Sequence, residues 1–127
     1  MLFFDLFRHE PTIVLLKAGA VLFRQGDATN GLMYVLVTGQ AEVRVGDQRV
    51  EDAAVGAILG EMAMVGTEPR SATVVAVTDC ECAAINRKRF DFLVTETPGF
   101  AIDIMRVMAD RLRRTDRMLV ACSGGVA

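Results

Sequence analysis

Two short segments of the chain carry residues that could bind an anion. Residues 60–64 read Gly-Glu-Met-Ala-Met, so good helix formers follow a glycine and a single helical turn can begin there with its first N–H groups exposed. A few residues on, Pro69 fixes the chain direction, and Arg70 and Ser71 offer a planar guanidinium fork and a hydroxyl donor. If the intervening loop folds back, Arg70 and the amides of the turn face one small volume. That volume would suit one phosphate group.

Glu61 adds a second requirement to this site. A carboxylate repels a phosphate, so the presence of Glu61 in the turn indicates that the ligand also carries a hydroxyl, such as a ribose 2′-OH. The carboxylate would accept a hydrogen bond from that hydroxyl. The alternatives are a surface ion pair for Arg70 and a solvated turn position for Glu61.

The elements that must position these residues begin with a run of short strands. Most of the 11 glycines lie before residue 68, at the regular spacing that is typical of turns between strands. Apolar segments rich in β-branched residues lie between them, at 13–16, 21–23, 32–37, 41–45, 72–77 and 82–85. Several alternate apolar with polar residues, which is the pattern of a strand with one buried face. Asn30-Gly31 and Gly46-Asp47 predict hairpin turns.

After Asn86 the glycines become rare and the apolar period changes to that of helices. The sequence predicts a short helix over 87–94 and, after Pro98-Gly99, a longer one over about 100–119. The longer helix carries two adjacent stripes, one of Ile102, Met105, Ala109 and Leu112 and one of Ile104, Val107, Met108 and Arg111. An apolar arc this wide indicates that the helix packs on two surfaces, one of them the barrel and the other something else.

These patterns together predict a mainly-β fold with helices. We expect a β jelly-roll barrel over 13–86, with a short N-terminal helical segment at 1–12 and C-terminal helices at 87–120. The anion-binding segment, 56–76, and its one-turn helix belong to the barrel. A chain of 127 residues can bury its own core, so residues 1–127 are predicted to form a single domain.

Composition and charge argue against several classes of protein. A net charge of -2 and a pI near 5.4 do not suit a surface that holds nucleic acid by its phosphates. The longest uninterrupted apolar stretch, 53–60, is far shorter than the roughly 20 residues of a membrane-spanning helix. The first ten residues lack the basic leader of a secretory signal. The sequence therefore predicts a cytoplasmic protein without nucleic acid or membrane as a partner.

Three cysteines and one histidine limit metal and catalytic chemistry. Cys80 and Cys82 alternate along a strand and would share one face, so we expect both in the core rather than in a zinc site. Cys122 makes the set odd, which suits a reducing compartment. A metal-dependent jelly-roll enzyme needs several histidines, whereas His9 stands alone, and Ser71 has no histidine base in a recognisable motif. The sequence predicts no metal site, no catalytic residue and no enzyme.

Residues 59–64 and 69–73 together resemble the phosphate-binding cassette of the cyclic nucleotide-binding domain family. Catabolite-activator-like regulators, regulatory subunits of cyclic-nucleotide-dependent kinases and nucleotide-gated channels share this domain. Its cassette reads roughly Phe-Gly-Glu-Leu-Ala-Leu, a short loop, then Pro-Arg-x-Ala-Thr; here the segments read Leu-Gly-Glu-Met-Ala-Met and Pro-Arg-Ser-Ala-Thr. The departures conserve side-chain volume. Residues 15–27 and 31–43 are similar to the family's early strands, so the resemblance covers nearly the whole chain.

The resemblance implies a set of ligand-binding residues. They are backbone groups of Gly60, Met62 and Ala63, a ribose acceptor at Glu61, and phosphate donors at Arg70 and Ser71. Ser71 occupies a position that helps to separate adenine from guanine nucleotides in the family, and a serine there leaves cAMP favoured over cGMP by resemblance to bacterial regulators. Asp110-Arg111-Leu112 resembles the stretch of channel domains whose arginine reaches the purine. Arg111 is therefore a candidate lid residue, the alternative being an arginine on a solvated face.

The predicted function is a non-enzymatic sensor that binds a cyclic nucleotide, cAMP or cGMP, and needs no other cofactor. The C-terminal helix would be the lid and the signal output, acting on a second copy of the chain or on a separate effector polypeptide. The alternative is a degenerate, ligand-free interaction or dimerisation module of the same fold. The start at Met1 favours a stand-alone sensor over an excised domain.

Overall fold

The computed structural model describes residue 10 and residues 12–124, with side chains as far as residue 114. Eight strands come first, with a single 3-10 turn between the sixth and the seventh, and two helices follow. The mainly-β class with C-terminal helices is therefore confirmed. The predicted N-terminal helical segment, 1–12, lies outside the described residues except at positions 10 and 12.

The strands form two separate antiparallel sheets. Their bounds are β1 Ile13–Leu16, β2 Val21–Phe23, β3 Met33–Thr38, β4 Ala41–Val45, β5 Gln48–Ala53, β6 Ile58–Leu59, β7 Thr73–Ala76 and β8 Cys80–Ile85. The sheets have four strands each, in the orders β1-β8-β3-β6 and β2-β7-β4-β5. Within the described residues no strand of one sheet pairs with a strand of the other, so a closed barrel is not observed. Three of the four edge strands have only two to four residues, which keeps the unpaired edges short.

One hydrophobic core takes buried side chains from both sheets. Leu36 and Leu59 of the first sheet belong to the same cluster as Val43 and Val74 of the second. In β4 the alternation read from the sequence holds, because Ala41 and Val43 are buried while the polar residues between and after them are partly exposed.

Cys80 and Cys82 of β8 both lie in this core, as predicted. Their exposed fractions are 3% and 1%. Burial, and secondarily the neighbouring Cys80, raise the pKa of the Cys82 thiol to about 12. Cys82 is therefore a neutral thiol at physiological pH and packs as a small apolar residue.

Two strands and one turn differ from the sequence prediction. β5 reads Gln-Arg-Val-Glu-Asp-Ala, too polar to be recognised as a strand, and it forms as the return of a hairpin in which Val45 pairs with Gln48 around Gly46-Asp47. β6 has two residues, too few to give a pattern. The hairpin predicted at Asn30-Gly31 is wrong, because the strands on either side of it, β2 and β3, belong to different sheets.

By its contacts the chain divides into two compact units, residues 1–92 and 93–127. Helix α1 spans Arg87–Glu96, so most of it belongs to the first unit. The Asn86 side-chain oxygen accepts a hydrogen bond from the Arg89 N–H at 2.8 Å, which caps the helix start. No helix among the residues that the structure describes is both long and apolar enough to cross a membrane.

Helix α2 spans Pro98–Gly124 in the second unit. It begins two residues before the predicted start because proline fits the first position of a helix, where no intrahelical N–H bond is lost. The two predicted stripes differ in exposure. Ile104 of the second stripe is buried, whereas Ile102, Met105 and Leu112 of the first are 46%, 55% and 64% exposed.

The 3-10 turn, Glu61–Met64, follows Gly60, whose φ is 72°. That conformation is open to glycine and strained for other residues. Space is a second constraint, because a Cβ at position 60 would lie 2.6 Å from Nη1 of Arg70 and 3.2 Å from the Phe23 ring. Gly56 has a similar φ of 91° but nothing within 4 Å of its added Cβ. The single turn predicted after Gly60 is confirmed as this 3-10 turn.

Alanine at these two glycines separates backbone strain from crowding. We expect Gly56→Ala to lower the free energy of unfolding by about 1 kcal/mol through strain alone. Gly60→Ala should lower it by a further ~1 kcal/mol or more, since the Arg70 guanidinium must also move. Urea-induced unfolding measures both values. Equal losses in the two variants would show that the contact between position 60 and Arg70 is not tight.

Candidate functional site

Arg70 is held in place first by its own backbone. Its N–H donates to the Asp27 carbonyl and its carbonyl accepts from the Gly26 N–H, both at 2.8 Å. Two residues beyond Ser71, the Thr73 hydroxyl accepts from the Gln25 N–H at 2.8 Å. These bonds tie the start of β7 to the loop that follows β2. The backbone hydrogen bonds alone therefore fix the position of Arg70, independently of the contacts of its side chain.

Among the described residues, the hydrogen-bond acceptors of the Arg70 guanidinium are all neutral. Nη2 donates to Oδ1 of Asn30 at 2.7 Å and to the Leu32 carbonyl at 2.8 Å, and Nη1 donates to the Gly60 carbonyl at a longer 3.4 Å. The Phe23 ring lies against the face of the guanidinium. The distance from the ring centroid to Cζ of Arg70 is 4.2 Å. Nε–H and one N–H of Nη1 make no hydrogen bond to a described residue.

No carboxylate of a described residue pairs with this buried charge. Arg70 is 7% exposed, and no acidic side chain in the described part of the chain lies within ion-pair distance of it. Burial lowers the pKa of Arg70 from its usual value, while Tyr34 and Asp27 offset part of that effect. A guanidinium desolvated in this way gains most from an anion that reaches its two remaining N–H groups.

Asn30 is a site residue that the sequence analysis missed. Its side-chain oxygen accepts from both Arg70 and the Leu32 N–H, the latter at 3.1 Å, and its side-chain nitrogen donates to the Tyr34 hydroxyl at 3.2 Å. The sequence offered only a turn signal at Asn30-Gly31. Nothing in the pattern connects Asn30 with an arginine 40 residues later.

The 3-10 turn places its residues in different environments. Glu61 is buried, at 4% exposure, whereas Met62 is 54% exposed. The Ala63 N–H, a predicted ligand donor, donates to the Gly60 carbonyl at 3.2 Å. The structure thus brings the carbonyl of Gly60 and the side chain of Arg70 together at the start of the turn.

The far end of the turn is fixed by helix α1. Nη1 of Arg87 donates to the Met64 carbonyl at 3.0 Å, and Nε of the same side chain donates to Asp91 one helical turn away at 2.9 Å. Met64 itself is buried, at 2% exposure. A partly paired arginine therefore binds one of the free carbonyls at the end of the turn. Sequence reasoning gave no signal for this contact.

The other two predicted ligand residues, Ser71 and Arg111, lie in different units. Ser71 is exposed, directly after Arg70, and its hydroxyl bonds to none of the residues that the structure describes. Arg111 lies on α2, in the second unit, with a half-buried side chain.

A profile of the cyclic nucleotide-binding domain family matches residues 13–97. This segment is more than half of the chain and contains both sheets, the 3-10 turn, Arg70 and α1. The motif residues read from the sequence therefore lie within the match, except Arg111.

Individual relatives support the same assignment. Lysophospholipase NTE1 of Saccharomyces cerevisiae is 32% identical over 131 residues, which cover 91% of this chain and 8% of that protein. The cAMP-dependent protein kinase regulatory subunit of Candida albicans is 36% identical over 76 residues, 60% of this chain and 16% of that protein. The crystal structure of Thermus thermophilus catabolite activator protein matches with a TM-score of 0.77 at 28% identity, over 96% of this chain and 57% of that one.

The chain thus spans only a small part of the two sequence relatives, 8% and 16% of their lengths. The profile match and the structural match both cover the segment that contains the two sheets and the 3-10 turn. The chain belongs to the cyclic nucleotide-binding domain family.

Proposed function

We propose that this domain is a non-enzymatic sensor of a cyclic nucleotide and that Arg70 binds the cyclic phosphate. The observation that carries the proposal is the charge of Arg70, which is buried among neutral acceptors with two N–H groups still available. A cyclic phosphate carries one negative charge and two exocyclic oxygens, which match that pair of donors. Family membership supports the same ligand class.

The remaining cassette residues take the roles that the family resemblance implies. Glu61 accepts from the ribose 2′-OH, Ser71 donates to the phosphate, and the turn backbone at Gly60, Met62 and Ala63 lines the site. We also propose that the two sheets form the jelly roll of such a domain and that it acts in the cytoplasm.

The sensor role is proposed for this domain alone. The name of the yeast relative denotes an enzyme, but the aligned segment is 8% of that protein. The other relatives are named as a kinase regulatory subunit and a catabolite activator. A ligand-binding domain whose output passes to another domain or polypeptide is consistent with all three names.

We propose cAMP as the preferred ligand. Ser71 stands at the position that bears on the choice of base, and it does not by itself exclude guanine. Relatives named for cAMP and for cGMP are about equally similar to this chain, at 36% and 38% identity, so the proposed preference rests on the resemblance of Ser71 to the serine of bacterial regulators.

Removing the Arg70 fork should remove nucleotide binding. We expect the native domain to bind cAMP with a dissociation constant on the order of micromolar and cGMP more weakly. Arg70→Leu should weaken cAMP binding by about 100-fold or more, since two charge-assisted hydrogen bonds are lost. Glu61→Ala should have a comparable effect. Isothermal titration calorimetry measures each affinity.

Arg49→Leu is the matched control, because Arg49 is an exposed arginine of β5 whose partner is Asp52. It should leave the affinity unchanged. Arg70→Lys keeps the charge without the fork and should bind cAMP more weakly than the native chain, which tests the geometry if Arg70→Leu folds poorly. Native affinity in folded Arg70→Leu or Arg70→Lys would disprove the proposed role of Arg70.

We further propose that α2 acts as the lid and signal output, with Arg111 contacting the base. A ligand shifts a helix only if it binds the closed state more tightly than the open one, and Arg111 would supply that difference. Arg111→Ala should therefore raise the dissociation constant for cAMP by about fivefold or more. Arg113→Ala is the control, since Arg113 pairs with Asp110 on an exposed part of the same helix. Equal affinities in the two variants would contradict the lid role.

A second candidate function is dimerisation through α2. It is favoured by the exposure of Ile102, Met105 and Leu112, which recur at helical spacing along one side of the helix. Sedimentation velocity should show a dimer that Leu112→Glu dissociates, whereas Leu15→Glu, at an exposed leucine of β1, should not. A monomer at all concentrations, with and without nucleotide, would reject this candidate.

A further inference from the structure

A cavity separate from the Arg70 site lies in the first unit, between the end of β8 and the start of α1. Its volume is about 390 Å³, within the usual range for small-molecule sites. Of the residues around the Arg70 guanidinium, only Leu32 also lines this cavity. It is therefore distinct from the site of the cyclic phosphate.

The hydrogen-bond acceptors in the wall of this cavity are already occupied. The two carboxylate oxygens of buried Glu10 accept from Nε and Nη2 of Arg89, at 2.8 and 2.6 Å. The side-chain oxygen of Asn86 accepts from the Arg89 N–H at 2.8 Å. The carbonyl of Thr12 accepts from the Ala84 N–H at 2.9 Å. A ligand would find few acceptors left here.

Four donor groups in the same wall make no hydrogen bond to the part of the chain that the structure describes. Among the described residues, nothing accepts from the ammonium of Lys88, Nη1 of Arg89, the side-chain nitrogen of Asn86 or the hydroxyl of Thr12. Glu10 balances the charge of Arg89, so the described lining residues carry one net positive charge, that of Lys88. Arg87, the preceding basic residue, is engaged with Met64 and Asp91 and does not line the cavity.

The rest of the wall is apolar. Leu32, Ala84 and Phe92 supply it, and the Phe92 side chain is 51% exposed with the Arg89 guanidinium 4.8 Å from its ring centroid. The partly uncovered ring offers a flat surface beside the free donors. We propose that this cavity binds a small organic carboxylate with a flat apolar body, its carboxylate at Lys88 and its body against Phe92.

Benzoate is a suitable probe, because it joins one carboxylate to one ring. In an NMR titration of the native chain labelled with nitrogen-15, we expect saturable shifts of the amides of residues 84–92 and a dissociation constant on the order of 1 mM. Benzamide, the neutral analogue of the same shape, should bind at least about tenfold more weakly. Acetate, which lacks the ring, should also bind more weakly.

Two substitutions locate the binding site of the probe. Lys88→Gln should weaken benzoate binding by about tenfold, and Phe92→Ala should weaken it as well. Lys17→Gln, at an exposed lysine beyond the cavity, is the matched control and should change nothing. None of the residues proposed to bind the nucleotide lines this cavity, so the test is independent of the proposed nucleotide site. Equal binding of benzamide, an unchanged affinity in Lys88→Gln, or the absence of saturable shifts would overturn the proposal.

Discussion

The structure around the candidate site depends on one buried cation. The Arg70 guanidinium is desolvated, and neutral oxygens rather than a carboxylate compensate it. These oxygens come from separate parts of the chain, the Asn30 side chain, the Leu32 backbone and the Gly60 backbone, so each must be placed accurately for the charge to be tolerated. A carboxylate in the same place would satisfy the charge within the protein. Neutral acceptors orient the fork and leave its charge for an anion.

The parts of this arrangement that sequence could predict are those with a local signature. β1, β2 and β4 lie at the predicted positions because short apolar runs between glycines specify strands. The turn after Gly60 and the position of Arg70 along the chain were predicted from the two motif segments, 59–64 and 69–73. β5 could not be predicted, since its polar residues form a strand only because β4 offers them a partner. Asn30 was wrongly assigned to a hairpin for a similar reason. Its contact is with Arg70, which is distant in sequence and leaves no local pattern.

The surface charge of the molecule and the charge of the site have different origins. The chain as a whole is slightly acidic, with a net charge of -2. Under the two proposals above, attraction for an anion is a local property, produced by burial at Arg70 and by the donors of the cavity beside α1. A net charge of -2 does not favour long-range steering of an anion, so the proposed recognition depends on short-range geometry.

The two anchored ends of the 64–70 segment have a consequence for how the domain can vary. Arg87 holds the carbonyl of Met64, and the Gly26 and Asp27 backbone holds Arg70, so the residues between them only join two fixed points. Closing a slightly longer loop between fixed ends costs little free energy, roughly 0.6 kcal/mol for each doubling of its length. Insertions after Gly66 should therefore be tolerated without moving the arginine.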